Sequence, residues 1–450
     1  MHCSSFCNVF LPQSMFSSAN LEIVSASDRN VAALFAGGWE APGDVRETVS
    51  AILEDVRRRG DAAVVAYERR WDCASYEPSM MRPPIPALEE AREMLPRPVA
   101  EGLALARERV ASFHERQRRV DVSYREPDGT RYAFRARPLD AVAAYVPGGS
   151  APLPSTVVMT VVPAKIAGVR RVAVFTPPRS DGTVHPAIAY ACALCEADEL
   201  YAIGGAQAIA AAAYGTQSIA RADKIVGPGN VWVTEAKRQL YGTCGIDGLA
   251  GPSEVLVVAD DSADAHEVVA ELFAQAEHDP RARVAVIAES RDVLERVRRA
   301  FSTQRPERLP RGEIVAAVMR ERCKLILAAN FQELCAAIDR FAPEHLALRV
   351  RDPGRVLERI THAGAVFVGR ATPVACGDYL AGSNHVLPTS GSARFASGLR
   401  VDDFLRTFAI VENSSERIRH DAPIIAELAE YEGLMQHART ARIRLRGSSS

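Results

Sequence analysis

Ala141-Val-Ala-Ala-Tyr145-Val-Pro-Gly-Gly149 is followed by Pro154-Ser-Thr156, a helical stretch ending at Ala164-Lys-Ile-Ala-Gly168, and a second short run, Val172-Ala-Val-Phe175. An apolar run, a glycine turn, an apolar helix and another apolar run make one βαβ unit. The alternation continues outward. Further strands are expected at 200–203 and 224–226, with helices beginning near Pro186, Ala206 and Asn230. A second series follows at 255–258, 284–287, 325–327 and 365–368. Such alternation implies parallel sheets, with ligands at the carboxyl ends of their strands. Upstream, apolar spacing predicts helices over 44–70 with a break at Gly60, over 88–95 and over 99–119. A hairpin is expected over 122–137 around Pro127-Asp128-Gly129. Downstream, 401–445 reads as a tail with one helix over 424–437.

The chain has 450 residues, too many for one ordinary core, and its 48% apolar and 24% charged residues are those of a soluble globular protein. Lys plus Arg (54) nearly balances Asp plus Glu (56), which speaks against a nucleic-acid partner. The nine cysteines show no disulfide framework, and Cys192 and Cys195, a C-x-x-C without a second pair, read as buried small side chains. No apolar run is long enough for a membrane span. The first twenty residues lack Lys and Arg, hence the charged region of a signal or transit peptide. A cytoplasmic enzyme with a flexible extension over 1–20 is the simplest expectation.

Several short stretches carry chemistry. Gln275 and His278, in Gln-Ala-Glu-His-Asp-Pro280, stand three residues apart in a helix-like segment, where an amide oxygen and an imidazole can share one ion. The same pair fits a solvated polar face. Gly204-Gly-Ala-Gln207 and Gly227-Pro-Gly-Asn230 fall, like Tyr145 to Gly149, at strand ends of one sheet. Each alone is an ordinary βα turn; together they can line a nucleotide crevice, although no G-x-G-x-x-G is present. Ala342-Pro-Glu-His-Leu346 sets Glu344 beside His345, either a proton-transfer pair or a surface acid beside a half-buried imidazole. The loop 376–388 holds Asp378, Asn384 and His385, with Asp378 a candidate third ligand. Cys376 lies two residues before it. By spacing alone, His437 is a solvated helix-end histidine.

Taken together these strings, with Val-Pro-Ala-Lys-Ile-Ala-Gly from Val162, Ala-Gly-Pro-Ser-Glu-Val from Ala250 and Asn-His-Val-Leu-Pro-Thr from Asn384, resemble the histidinol dehydrogenases, which complete histidine biosynthesis. The resemblance runs from about Val45 to Leu445. It implies oxidation of L-histidinol to L-histidine through bound L-histidinal, with NAD and one Zn2+ per subunit. Gln275, His278, Asp378 and His437 match the metal ligands, and Glu344 and His345 the catalytic pair. Ser253, His385 and Glu432 match further substrate contacts, and Tyr145, Gln207 and Asn230 match the residues that meet NAD. Glu432 and His437 would reach the site of the other subunit in a homodimer. Two positions depart from the pattern: Leu153, where relatives often carry Tyr, and Thr160, where they often carry Asn.

The expected fold is therefore α/β: two open, largely parallel Rossmann-like domains, an N-terminal helical region and a C-terminal tail exchanged across a homodimer. Residues 138–250 would bind NAD, 21–137 and 251–385 would form a discontinuous domain carrying the metal and catalytic residues, and 386–450 would complete the partner's site. A paralogue oxidising another amino alcohol or diol, and a zinc hydrolase using Glu344 to activate water, are the competing readings.

Overall fold

The computed structural model describes residues 21–28, 31, 39–148, 152–304, 306 and 310–445. The expected extension over 1–20 and Gly149 of the first glycine turn lie outside them. In chain order the strands are β1 (Ile23–Ser25), β2 (Val122–Arg125), β3 (Arg131–Pro138), β4 (Ala141–Tyr145), β5 (Arg171–Thr176), β6 (Glu199–Ala202) and β7 (Lys224–Val226). Next come β8 (Gly245–Ile246), β9 (Glu254–Ala259), β10 (Arg283–Ala288), β11 (Cys323–Leu327), β12 (His345–Arg349), β13 (Ala365–Val368) and β14 (Leu405–Glu412).

Two sheets are wholly parallel: five strands in the order β6-β5-β4-β7-β8, and six in the order β1-β11-β10-β9-β12-β13. Helices cover both faces of each, so the inner strands are buried on both sides and most of their residues are apolar. All residues of β4 and β9 are buried. The chain reverses its direction of travel across the five-stranded sheet between β4 and β7, which opens a crevice at their carboxyl ends.

The helical region before Pro138 belongs with the five-stranded sheet, which corrects the expected grouping of 21–137 with 251–385. Helix Gly43–Arg59 buries the stripe Val45, Val49, Ile52, Leu53 and Val56 in the core shared with Tyr145, Phe175 and Ile225. Helix Arg97–Glu115 packs on Pro154–Ala167, which is buried from Ser155 to Ala164 and so needs cover on both sides. Among the described residues before Pro138, β1 with Leu21, Ala26 and Val31 packs on the six-stranded sheet instead.

The expected tail is also divided. Leu399 and Phe404 fill the core beside Pro154–Ala167, and β14 pairs antiparallel with β3 along its whole length, from Leu405 opposite Pro138 to Glu412 opposite Arg131. The segment beyond Glu412 touches the five-stranded unit mainly at the β2–β3 turn, where Ser414 N donates to Thr130 Oγ1 (3.4 Å) and Arg417 pairs with Asp128 (3.1 Å). Two helices, Ser415–Tyr431 and Met435–Ile443, replace the single one expected over 424–437, because the chain breaks at Glu432 and Gly433 (φ +76°). They bury Ala426, Ala429 and Ala438 between them and leave Ile424, Leu428, Tyr431 and Met435 exposed.

Candidate active site

β12 went unrecognised in the sequence, and the acid–base pair stands at its amino end. Helix Phe331–Phe341 ends at Ala342, held in the left-handed region (φ +47°), and Pro343 then turns the chain into the sheet. Glu344 and His345 thereby enter beside β9, and both are buried. One residue of β9 grips both side chains through its backbone. The Glu254 N–H donates to Glu344 Oε2 (2.8 Å), and His345 Nδ1 donates to the Glu254 carbonyl (2.9 Å). A carbonyl only accepts, so Nδ1 keeps its proton and Nε2 is the nitrogen that gains or loses one.

Glu344 Oε2 also lies 3.5 Å from His345 Nδ1. Burial disfavours the imidazolium, but the Glu344 and Asp378 carboxylates outweigh it and push His345 up to about 9. Glu254 was not singled out in the sequence. Burial, helped by the charge of Glu344, pushes its carboxyl up to about 7 against the pull of Arg283, 3.4 Å away.

Asp378 stands on the short helix Ala375–Tyr379 rather than in an open loop. His385 Nδ1 donates to the Asp378 carbonyl (3.2 Å) and lies 4.0 Å from its carboxylate, leaving Nε2 to accept from Thr156 Oγ1 (3.2 Å). His385 is lowered by burial, partly offset by Asp378, and feels the charges of both His345 and Glu344. Glu344, His345, Asp378 and His385 thus form one cluster, the first two buried and the last two partly exposed. Asn384, beside it, donates to the Met159 carbonyl (2.7 Å) and ties the loop to the five-stranded unit. Ser253 precedes Glu254, and its carbonyl accepts from Arg283 N.

Gln275 lies in the last full turn of helix Ala265–Ala276, 4% exposed, and its side-chain amide has no hydrogen-bond partner among the described residues. His278 lies exposed on the turn past the helix end, so the expected continuous helical face is absent. Its N–H reaches the Gln275 carbonyl (3.3 Å). This turn faces the Asp378 helix: Tyr379, raised by burial, feels the charges of both Asp378 and Glu277. An amide without a partner, a carboxylate and an imidazole suit a zinc-like divalent ion. Among the described residues no three His, Cys, Asp or Glu side chains make a complete cage. Glu432 and His437 are exposed on the terminal helices.

At the carboxyl ends of β4, β6 and β7 lies a cleft of about 590 Å3 lined by Tyr145, Gln207 and Asn230, with Asp72, Trp71 and Trp232. Tyr145 Oη accepts from Gly205 N (3.2 Å), and Asn230 Oδ1 caps helix Val231–Leu240 through Trp232 N and Val233 N. Glu68 was missed in the sequence, although it lies on the buried side of an amphipathic helix. Its Oε1 accepts from Gly204 N and Gln207 Nε2, both at 2.9 Å. Gln207 Oε1 is buried without a partner, an acceptor left over for a bound molecule. Gly205 is confined: it sits at φ +59°, and a Cβ there would meet Gln207 Oε1 at 2.6 Å. Of the two departures, Leu153 is the residue before helix Pro154–Ala167, and the Thr160 hydroxyl turns back to the Thr156 carbonyl (2.6 Å).

Fold and site define a class: an α/β enzyme with two parallel sheets, a nucleotide-sized crevice at the carboxyl edge of one and a buried acid–base pair at the amino edge of the other. Known proteins agree. A sequence model of the histidinol dehydrogenase family matches residues 39–445. The histidinol dehydrogenase of Rhodospirillum rubrum is 45% identical over 415 residues, 92% of this chain and 95% of that one. That of Thermus thermophilus is 46% identical over 400 residues, 89% and 94% of the two chains. A crystal structure of histidinol dehydrogenase from Elizabethkingia anophelis superposes with a TM-score of 0.88 at 31% identity, covering 95% of this chain and 98% of that one. The chain belongs to the histidinol dehydrogenase family.

Proposed function

We propose that the protein oxidises L-histidinol to L-histidine in two NAD-linked steps at one site, with L-histidinal held between them. The observation that carries this reading is the Glu344–His345 pair fixed on the Glu254 peptide, which holds His345 through Nδ1 and leaves Nε2 to exchange a proton with the substrate when the ring is neutral. His345 takes the alcohol proton as hydride leaves carbon for NAD, giving the aldehyde. Glu344 then removes a proton from water as the water oxygen adds to the aldehyde carbon, and His345 returns its proton to the aldehyde oxygen, giving the hydrate. The hydrate then gives its hydride to a second NAD and one hydroxyl proton to His345, and the carboxylic acid formed loses its remaining proton to solvent, as do Glu344 and His345, which leaves the carboxylate.

Gln275, His278 and Asp378 would hold zinc, joined by His437 of a second subunit; when bound, zinc supplies a positive charge that orients the substrate's nitrogen donors. Ser253 and His385 border the substrate, while Tyr145, Gln207 and Asn230 line the cofactor cleft. The exposed apolar side chains of the terminal helices support a homodimer, in which Glu432 and His437 are delivered to the partner's site. No helix among the described residues is long and apolar enough to cross a membrane. We place the enzyme in the cytoplasm, with no nucleic-acid partner.

The test is NADH formed per L-histidinol consumed, before and after chelation and zinc restoration. Two NADH per substrate, lost with the metal and regained with it, is the expected result. Folded, zinc-loaded protein that forms no NADH from histidinol would point to another amino alcohol. Product without NAD would point to a hydrolase. Mixing inactive His345→Ala and His437→Ala chains tests the shared site, since verified heterodimers should regain activity.

A further inference from the structure

Outside the acid–base cluster, the most heavily bonded buried side chain of the six-stranded unit is Arg349, at the end of β12. Its Nη1 donates to the Phe367 and Gly369 carbonyls (3.1 and 2.8 Å), and its Nη2 to the Thr372 carbonyl (2.9 Å) and Glu271 Oε1 (2.7 Å). The other oxygen of Glu271 accepts from Val374 N (3.1 Å). Both side chains are buried, so each charge depends on the other and on the carbonyls around it.

What these bonds connect gives the pair its significance. Glu271 lies four residues before Gln275 on helix Ala265–Ala276, and Val374 lies four residues before Asp378 at the head of helix Ala375–Tyr379. Four residues of helix advance roughly 6 Å. The two candidate ligands therefore stand one turn beyond a single hydrogen bond, Val374 N–H to Glu271, and Arg349 fixes the segment 367–372 that leads into it. The same segment is pinned at its other end. The Phe367 ring stacks obliquely 5.9 Å from the His345 ring, and a Cβ on Gly377 would meet that ring at 2.5 Å.

We propose that Arg349 and Glu271 are positioning residues for the metal, a buried clamp that sets the separation of Gln275 from Asp378. The inference rests on the zinc reading above. Lysine at 349 would keep the charge but present a point donor where a planar fork now spans four acceptors on two segments. Groups that orient metal ligands from outside typically change affinity 10- to 100-fold when removed.

The experiment measures the zinc dissociation constant by competition with a chromogenic chelator, in full-length wild type, Arg349→Met, Arg349→Lys and Glu271→Gln. NAD binding, read from fluorescence of Trp71 and Trp232 in the cofactor cleft, serves as a control for the rest of the fold. Zinc affinity should fall roughly 10- to 100-fold in Arg349→Met and by less in Arg349→Lys, with NAD affinity unchanged. Because the methionine variant risks misfolding, the visible spectrum of the cobalt-substituted Arg349→Lys protein is recorded too, and it should differ from wild type. Wild-type zinc affinity in folded Arg349→Met, an unaltered cobalt spectrum in Arg349→Lys, or losses that strike NAD and zinc equally would overturn the clamp while leaving the zinc site standing. Absence of zinc binding in wild type would overturn both.

Discussion

Replacing Glu68 by glutamine should make the protein more stable in alkaline solution, even though it removes a carboxylate that receives two hydrogen bonds. Glu68 is 0% exposed, and its second oxygen, Oε2, has no partner. Burial, helped by the neighbouring Asp72 charge, pushes its carboxyl from 4.5 up to about 8, despite the opposing bonds from Gln207 and Gly204. The folded protein therefore keeps a proton that the unfolded chain releases near the ordinary carboxylate value. Its contribution to stability is complete below about 4.5 and is lost progressively as the pH climbs towards 8.

At ~1.36 kcal/mol per pH unit, that interval corresponds to roughly 5 kcal/mol. Asp72, raised by burial, shares the titration, so the part assignable to Glu68 is expected at about 2–4 kcal/mol. Glutamine retains an oxygen for the Gly204 and Gln207 donors and carries no charge to bury. Urea unfolding of wild type and Glu68→Gln at pH 5 and pH 8.5, at fixed protomer concentration, provides the assay. The variant should gain about 2–4 kcal/mol on wild type between the two conditions. Parallel pH dependences would falsify the reasoning, since they would mean that Glu68 ionises as readily inside the fold as outside it.

Three further expectations concern the tail and the cleft. Phe404→Ala should cost about 3–5 kcal/mol in urea unfolding, because the ring is fully buried in its own chain's core; a cost under about 1 kcal/mol would mean that this segment is not anchored there. Ending the chain after Glu412 should leave the melting temperature of the remainder within a few degrees of the full chain, because the lost helices bury mainly alanines against each other. Gel filtration should then show weakened dimers and assays no turnover, whereas a chain that fails to fold would refute the division. Asn230→Asp should preserve the cap on Trp232 and Val233 and the melting temperature, while weakening NAD about tenfold by setting an anion near the diphosphate; unchanged affinity would remove Asn230 from the cofactor site.

The parallel sheets were legible because strands buried on both faces carry apolar runs of four or more residues, as β4, β5, β9 and β10 do. β12 was not. It begins with His345 and ends with Arg349, and these are tolerated inside only through Glu254, Glu271 and carbonyls that no local window contains. β14 was taken for tail because its partner β3 lies more than 260 residues earlier, too far for a hairpin signal. The glycine turns and the Glu344–His345 pair were visible as chemistry in short strings. Glu68 and Glu254 act through hydrogen bonds to those strings and have no motif of their own. Likewise, His437 and Glu432 lie on an exposed helical pair, where spacing gives no hint of a role in another subunit.

The pairing of both chain ends with distant strands has a consequence for synthesis. Ile23 in β1 must wait for Leu325 in β11, about three hundred residues and, at ~5–20 residues per second, roughly 15–60 s later. The five-stranded unit begins to form early, yet Leu399, Phe404 and β14, which close its core, are nearly the last to leave the ribosome. A chain released prematurely after His385 would already carry Glu344, His345 and Asp378, but with that core open. Such a fragment would expose the apolar surface that Leu399, Phe404 and β14 cover in the whole chain.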